Sequence, residues 1–230
     1  MVRESNIFIH LGGGAGSGKT RLKDAILEQQ LFRGAKTIDP DSYLVNFEGY
    51  DPKKIDPMIQ KQSKQIAENI LDQHIENSEP VIIYDGTMKS DNVLSRLRKS
   101  KAKGYVTIVF GISCDIYSAH RINQNRERTV PLTAFVETHL GFIQTIEKVF
   151  IDESVDYFFL GHFESPENLS IFDSQVFSNE DMRSSELYFA PLLRSCWSQV
   201  KKKRFDSLTK FCEEHEIKIS EISDLLPRKH

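Results

Sequence analysis

The stretch GGAGSGKT, Gly13 to Thr20, constrains this chain more than any other. It satisfies the pattern G-x-x-x-x-G-K-[ST] and stands between an apolar run, NIFIHL (Asn6 to Leu11), and a helical pattern, KTRLKDAILEQQL. A strand, a glycine-rich loop and a helix in that order make a phosphate cradle. Glycines let the backbone curl so that successive N–H groups point inward at phosphate oxygens, and the helix adds the positive end of its dipole. Gly13, Gly14, Ala15, Gly16, Ser17, Gly18, Lys19 and Thr20 are therefore the expected nucleotide-binding residues. Lys19 would neutralise β- and γ-oxygens, and the Thr20 hydroxyl would ligate magnesium (Mg2+). The motif speaks for ATP or GTP and is silent about what receives the terminal phosphate.

Downstream, apolar runs and helical patterns alternate, the signature of βαβ units around a mostly parallel sheet. AKTID is a short second strand, ended by the turn chemistry of DPDS. DPMIQKQSKQIAENILDQHIEN reads as a long helix with Ile59, Ile66, Ile70 and Ile75 on one face. PVIIYD (Pro80 to Asp85) is a third strand, apolar until its final aspartate. SDNVLSRLRKSKAKG is a helix that Ser90 or Asp91 can cap and Gly104 closes. YVTIVFGISC is a fourth strand, apolar on both faces as a central parallel strand should be. Two helices follow, IYSAHRINQNRER and PLTAFVETHLGFIQTIEKVF, the second begun by Pro131, and then a fifth strand, VDYFFLGHF. The expected fold is α/β: a three-layer, P-loop NTPase-type, mostly parallel sheet of about five strands with flanking helices. Past Ser165 the pattern turns polar and irregular before a last helical stretch, so residues 1–164 are expected to form the catalytic domain and 165–230 a mainly helical C-terminal extension.

Three features bear on the acceptor. Asp85 closes an apolar strand and suits a magnesium ligand, direct or through water, but Gly86 follows it rather than the water-polarising carboxylate of many ATPase motors. No N-K-x-D guanine-reading motif appears later in the chain. A second acidic pair, Asp39 and Asp41, lies in TIDPDSY at the end of strand two. The carboxyl ends of strands form the crevice of an open α/β sheet, where an acceptor hydroxyl must be oriented and its proton taken. Asp39, next to Pro40, suits a turn; Asp41 is the better candidate for chemistry. AHRINQNRERTVPLT then carries Arg121, Arg126 and Arg128 after strand four. Arginines delivered by a closing segment stabilise the charge of a transferring phosphoryl group. Arg128 leads, Arg126 follows, and Arg121, a helical turn or more away, would face the core or the nucleotide base. A kinase is favoured over a hydrolase.

These pieces, LGGGAGSGKTRLKDAI, TIDPDSY, VIIYDGTMKSDNVLSRLRKSKAKGYVTIVFGI and RERTVPLTAFVETH, resemble the zeta-toxin family of P-loop kinases in order and spacing over about residues 6 to 163. The resemblance implies a kinase that uses ATP and magnesium to phosphorylate the 3′-hydroxyl of the sugar in UDP-N-acetylglucosamine or a related nucleotide sugar. It implies Asp41 as the base, Lys19 and Arg128 as stabilisers of the phosphoryl group with Arg126 as their partner, and Thr87 in the sugar pocket. Asp85 stands where many members have glutamate, and Glu68 matches an acidic pocket residue if one gap is allowed before strand three. An antitoxin or other protein partner is implied as well.

The bulk properties exclude other classes. A net charge of −3 carries no basic excess for wholesale nucleic-acid binding. Cys114, Cys196 and Cys212 are odd in number and unpaired in spacing, which speaks for a reduced compartment. The first apolar run is too short for a signal peptide and no stretch reaches a membrane span, so a cytoplasmic protein without membrane contact is expected. His10 is expected to be a satisfied core histidine and Cys114 a packing residue. The run KKKRF (Lys201 to Phe205) is expected to be a solvated face, and Trp197 with Phe189, Leu192, Leu193 and Val200 to dock the tail helix. The rival readings are a kinase of another acceptor (a nucleoside, a free sugar or a polynucleotide 5′-hydroxyl) and a catalytically silent nucleotide-binding effector or regulatory module.

Overall fold

Alternation along the first strand, β1 (Ile7–Gly13), divides the protein into its layers. Side chains of successive strand residues point to opposite faces. Phe8 joins a large hydrophobic cluster with Ile38, Ile82, Tyr84, Val109 and Phe158, whereas Ile9 and Leu11 join a smaller one with Leu22, Ile26, Ile83 and Ile112. Both sets are buried, as a central parallel strand demands.

The computed structural model describes residues 5–52, 56–126, 128–163, 175–178 and 189–217, with side chains described for those up to 161 and from 201. After β1 come α1 (Lys19–Glu28), β2 (Lys36–Ile38), α2 (Pro57–Glu76), β3 (Val81–Asp85), α3 (Asn92–Ala102), β4 (Val106–Cys114), α4 (Ile116–Gln124), α5 (Leu132–Phe150), β5 (Tyr157–Phe163), β6 (Gln175–Ser178) and α6 (Phe189–Glu214). The sheet order is β2-β3-β1-β4-β5-β6. β1 to β5 are parallel, with Leu11 opposite Asp85 and Gly12 opposite Gly111. α1 covers the face of Ile9 and Leu11; α2, α3, α5 and α6 supply the larger cluster on the other. Consecutive strands depart to opposite sides of β1, so the crevice between β3 and β4 opens at the carboxyl end of β1, where the glycine loop begins.

The expected α/β architecture is present, with differences of detail. β6 pairs antiparallel with β5 from within the polar segment that carried no strand signal. The buried stripe of α2 is Ser63, Ala67, Leu71 and Ile75, while Ile66 is 37% exposed. Ser63 fixes this rotation: its hydroxyl donates to the Pro40 carbonyl, tying α2 to the loop after β2. Asp56 caps α2 by accepting from Met58 N and Ile59 N. Asp91 begins α3 without a side-chain cap and instead accepts from Lys148 of α5. Pro131 stands one residue before α5, its carbonyl accepting from Phe135 N.

KKKRF is not one solvated face. Lys202 and Lys203 are exposed, but Arg204 and Phe205 are buried, because α6 turns one stripe into the large cluster through Phe205, Leu208, Phe211 and Cys212. The side chains of Trp197, Phe189, Leu192, Leu193, Val200 and Cys196 lie outside the described residues. His10 is fully buried and satisfied: Nδ1 donates to the Leu11 carbonyl at 3.0 Å, leaving Nε2 to accept from Arg96 at 3.3 Å. Cys114 is buried, and burial pushes its thiol up to about 11, so it packs rather than reacts.

The rotated stripe of α2 has a measurable consequence. Leu71→Ala, at a fully buried position, should destabilise by roughly 2–5 kcal/mol in urea unfolding. Ile66→Ala should cost less than about 1 kcal/mol; equal costs would mean the helix presents its other face.

Candidate active site

The phosphate loop is held from outside because its own residues are nearly all backbone. Gly16 (φ 73°) and Gly18 (φ 96°) occupy the left-handed region, where a side chain would be strained. A Cβ on Gly16 would overlap the Ala119 carbonyl of α4, and one on Gly14 would overlap the His139 ring of α5. Ala15, the one residue between them, is gripped twice: its N–H donates to Thr138 Oγ1 at 2.9 Å and its carbonyl accepts from His139 Nε2 at 2.9 Å. A carbonyl can only accept, so this bond fixes the His139 proton on Nε2. Burial, with the charges of Arg204 and Lys19 nearby, lowers the His139 pKa to about 3, so the ring stays neutral. Lys19 folds back to donate to the carbonyls of Gly13 and Gly14, both at 2.9 Å. Burial lowers its pKa, opposed by the charge of Asp85. Thr20 is exposed at the start of α1.

Three carboxylates gather at the strand ends, each beside a cation. Asp85, at the end of β3, accepts from Lys23 Nζ at 2.9 Å, and the same ammonium lies 3.7 Å from Asp39. Burial raises the Asp39 pKa, as do the neighbouring charges of Asp85 and Asp41. Asp39 also accepts from Asp41 N at 2.9 Å, the turn role expected of it. Across the crevice, Arg128 Nη1 reaches Asp41 Oδ2 at 2.7 Å. Arg126 is exposed but near enough for its charge to act on Lys19. Arg121 is exposed on α4 and contacts Ser118 at 3.4 Å, so it does not face the core. The hard oxygens of Asp85 and Thr20 suit magnesium chemically.

The other side of the crevice is a polar wall. Glu68 of α2 accepts from Arg96 Nε at 2.7 Å and from the Tyr84 hydroxyl at 3.2 Å. The Arg96 guanidinium lies 4.2 Å over the Tyr84 ring, which stacks on His10 beneath it. Thr87 is half-buried in the loop after β3. Its neighbour Met88 adopts φ 50°, with its side chain packed over Gly12. Lys89 pairs with Glu137 of α5 at 3.5 Å. Burial lowers the Lys64 pKa, as do the charges of Lys89 and Arg96.

Asp41, Arg126, Lys19 and Asp85 thus lie close enough for their charges to act on one another, Arg128 meets Asp41, and Glu68 is engaged by Arg96, while Thr87 stands in the loop after β3. Sequence reasoning missed Lys23, Arg96, Thr138 and His139. Lys23 carried a signal, standing four residues after Lys19 on the same helix face. Thr138 and His139 end the RERTVPLTAFVETH element, but nothing in that element points to their partner Ala15, more than a hundred residues away in the chain.

The chain matches the family model described as Zeta toxin over residues 2–173. Among solved structures it is similar to one from the PezAT chromosomal toxin–antitoxin system of Streptococcus pneumoniae, with a TM-score of 0.55 at 18% identity, covering 91% of this chain and 89% of that one. It is similar also to the AvrRxo1-ORF1:-ORF2 structure with ATP (TM-score 0.53, 14% identity, 76% of this chain and 57% of that one). A third similar structure is the Pnkp1/Rnl/Hen1 RNA repair complex (TM-score 0.51, 16% identity, 64% and 47%). At these identities the structural likenesses speak for the fold. No curated protein matches the chain in sequence. A phosphate loop between β1 and α1, basic and acidic groups converging on its mouth, and a family match over most of the length place this chain in the zeta-toxin family of P-loop kinases.

Proposed function

We propose that this chain is a magnesium-dependent kinase that transfers the γ-phosphate of ATP to a hydroxyl of a nucleotide sugar such as UDP-N-acetylglucosamine. The observation that carries the reading is the Arg128–Asp41 contact at 2.7 Å, across the crevice from Lys19. It brings a cation from the segment after α4 and a carboxylate from the end of β2 to one place, as in-line transfer requires. Asp41 takes the acceptor's proton as its oxygen attacks the γ-phosphorus, the bond to the β-phosphate bridging oxygen breaks, and ADP leaves. Lys19 exchanges the loop carbonyls for β- and γ-oxygens. Arg128, with Arg126 beside it, turns from Asp41 to the charge spreading over the transferring group. Asp85 and Thr20 would hold magnesium, which when bound supplies charge neutralisation between the phosphates.

The acceptor side suits a sugar carrying phosphate. Thr87 offers a hydroxyl, while Lys64, Lys89 and Arg96 lie close enough for their charges to be felt together. Glu68, braced by Arg96 and Tyr84, supplies a fixed acceptor for sugar hydroxyls. A basic groove for a polynucleotide end finds little support. The cations of α3 are taken up locally, Arg98 by Asp152 at 2.6 Å, Lys99 by Asp72 and Lys101 by Asp156. An antitoxin partner belongs to the same reading, supported by the toxin–antitoxin origin of a similar structure. No helix among the described residues is long and apolar enough to cross a membrane.

Incubation with ATP, magnesium and UDP-N-acetylglucosamine should yield a phosphorylated nucleotide sugar by mass spectrometry. ADP formed at equal rate with and without the sugar, and no such product, would rule this acceptor out.

Asp41→Asn should leave ATP affinity within about threefold while lowering kcat by roughly 10²–10⁴, the usual worth of a positioned base. Arg128→Gln should lower kcat by about 10³ or more, as for an arginine acting on the transferring phosphoryl group. Single-turnover kinetics separate the two from binding losses, and wild-type turnover by Asp41→Asn would overturn its role.

A further inference from the structure

The family match ends at residue 173, so α6 lies beyond it. Yet α6 packs on α4 and α5, the two helices that back the phosphate loop. Phe211, fully buried, lies 5.9 Å from the ring of Phe135 and 5.0 Å from His120. Phe135, also fully buried, lies 4.7 Å from His139, whose Nε2–H holds the Ala15 carbonyl. Next to His139, Thr138 accepts from Ala15 N and donates to the Phe135 carbonyl at 2.8 Å. On α6, Arg204 is 6% exposed, and its charge reaches Cys114 and Asp115 at the end of β4 as well as His139. Asp115 accepts from Ser118 N and so begins α4, whose Ala119 carbonyl backs Gly16. Two separate supports of the loop, on α5 and on α4, therefore end on the same side of α6.

We propose that Thr138 and His139 are positioning residues for the phosphate loop and that α6, through Phe211, holds them in place, so that nucleotide affinity depends on a helix outside the family match. A loop of Gly14, Ala15 and Gly16 has almost no side chain with which to stiffen itself. Its amides can converge on phosphate before the nucleotide arrives only if something else fixes them, and preorganisation of that kind shows itself as affinity. The two bonds to Ala15 hold the loop from its outer side, and within it Ser17 N–H donates to the Gly14 carbonyl at 3.2 Å. The rings behind them are packed too closely to let His139 swing out while α6 is seated.

The inference rests on the nucleotide-loop reading, so the test measures ATP binding and not transfer. Titration calorimetry with ATP is run on the full chain and on Thr138→Val, Thr138→Ser, Phe211→Leu and Ile75→Ala, with thermal midpoints recorded for each. Thr138→Val removes the acceptor for Ala15 N–H and should raise the ATP Kd about 5–10-fold, what one net hydrogen bond is worth. Thr138→Ser keeps the hydroxyl and should restore the wild-type value. Phe211→Leu keeps an apolar side chain but loses the ring contacts, and should raise Kd about 3–10-fold. Combined with Thr138→Val it should be less than additive, because both act on the same support. Ile75→Ala cuts the same cluster at the opposite end of the sheet, where α2 leads into β3, and should lower the thermal midpoint with Kd unchanged. If Phe211→Leu and Ile75→Ala both lower the midpoint and both leave Kd unchanged, α6 is packing only and the proposal fails. If the wild-type chain binds no ATP, the nucleotide reading fails and the proposal with it.

Discussion

A glycine loop that binds phosphate through its backbone cannot also hold its own shape, and much of this protein is arranged around that fact. The left-handed conformations at Gly16 and Gly18 admit no side chain without strain, and the space beside Gly14 and Gly16 is already filled by His139 and Ala119. Rigidity is therefore borrowed. β1 brings the loop to the carboxyl edge of the sheet, α4 and α5 press on its outer side, and Ala15 is bonded at both its N–H and its carbonyl. Burial keeps His139 neutral, so the bond to Ala15 does not turn on or off near neutral pH.

Electrostatics organise the other half of the crevice. Parallel strands deliver Asp39, Asp41 and Asp85 to one edge, where three unpaired carboxylates would repel one another. Lys23 sits between Asp85 and Asp39, and Arg128 lies on Asp41. The ion pairs are exposed to different degrees, and a pair as open as Asp41–Arg128 adds little to stability. Its significance is placement: a carboxylate from the loop after β2 and a guanidinium from the segment after α4 meet at one point, and a pair this exposed can change partner at modest cost. Glu68, Arg96, Tyr84 and His10 form a firmer group, stacked and hydrogen-bonded down to the core.

How far this was legible differs from residue to residue. The cradle, the strand-end acids and Arg128 were visible because each follows from local pattern: a glycine spacing, an aspartate closing an apolar run, a cluster of arginines before a proline. The stripe of α2 was legible in part: Ile75 is buried and Ile70 packs against the core, but Ile66 is exposed, because Ser63 turns the helix by its bond to Pro40. Arg204 and Phe205 were misjudged. A run of basic residues looks solvated until a long helix carries one of its stripes into a core. β6 is a four-residue strand in a polar stretch, and only pairing with β5 makes it one.

The sequence by itself determined the layered α/β plan, the phosphate loop and the acids at the strand ends, because periodicity, glycine spacing and strand termini are local properties of the chain. Only the tertiary structure decided what surrounds them. That Thr138 and His139 meet Ala15, that Lys23 bridges Asp85 and Asp39, and that Arg128 reaches Asp41 are contacts between residues far apart in the chain. Each depends on how helices seat against the sheet, a choice made by close packing of the whole core and not written in any short stretch of residues.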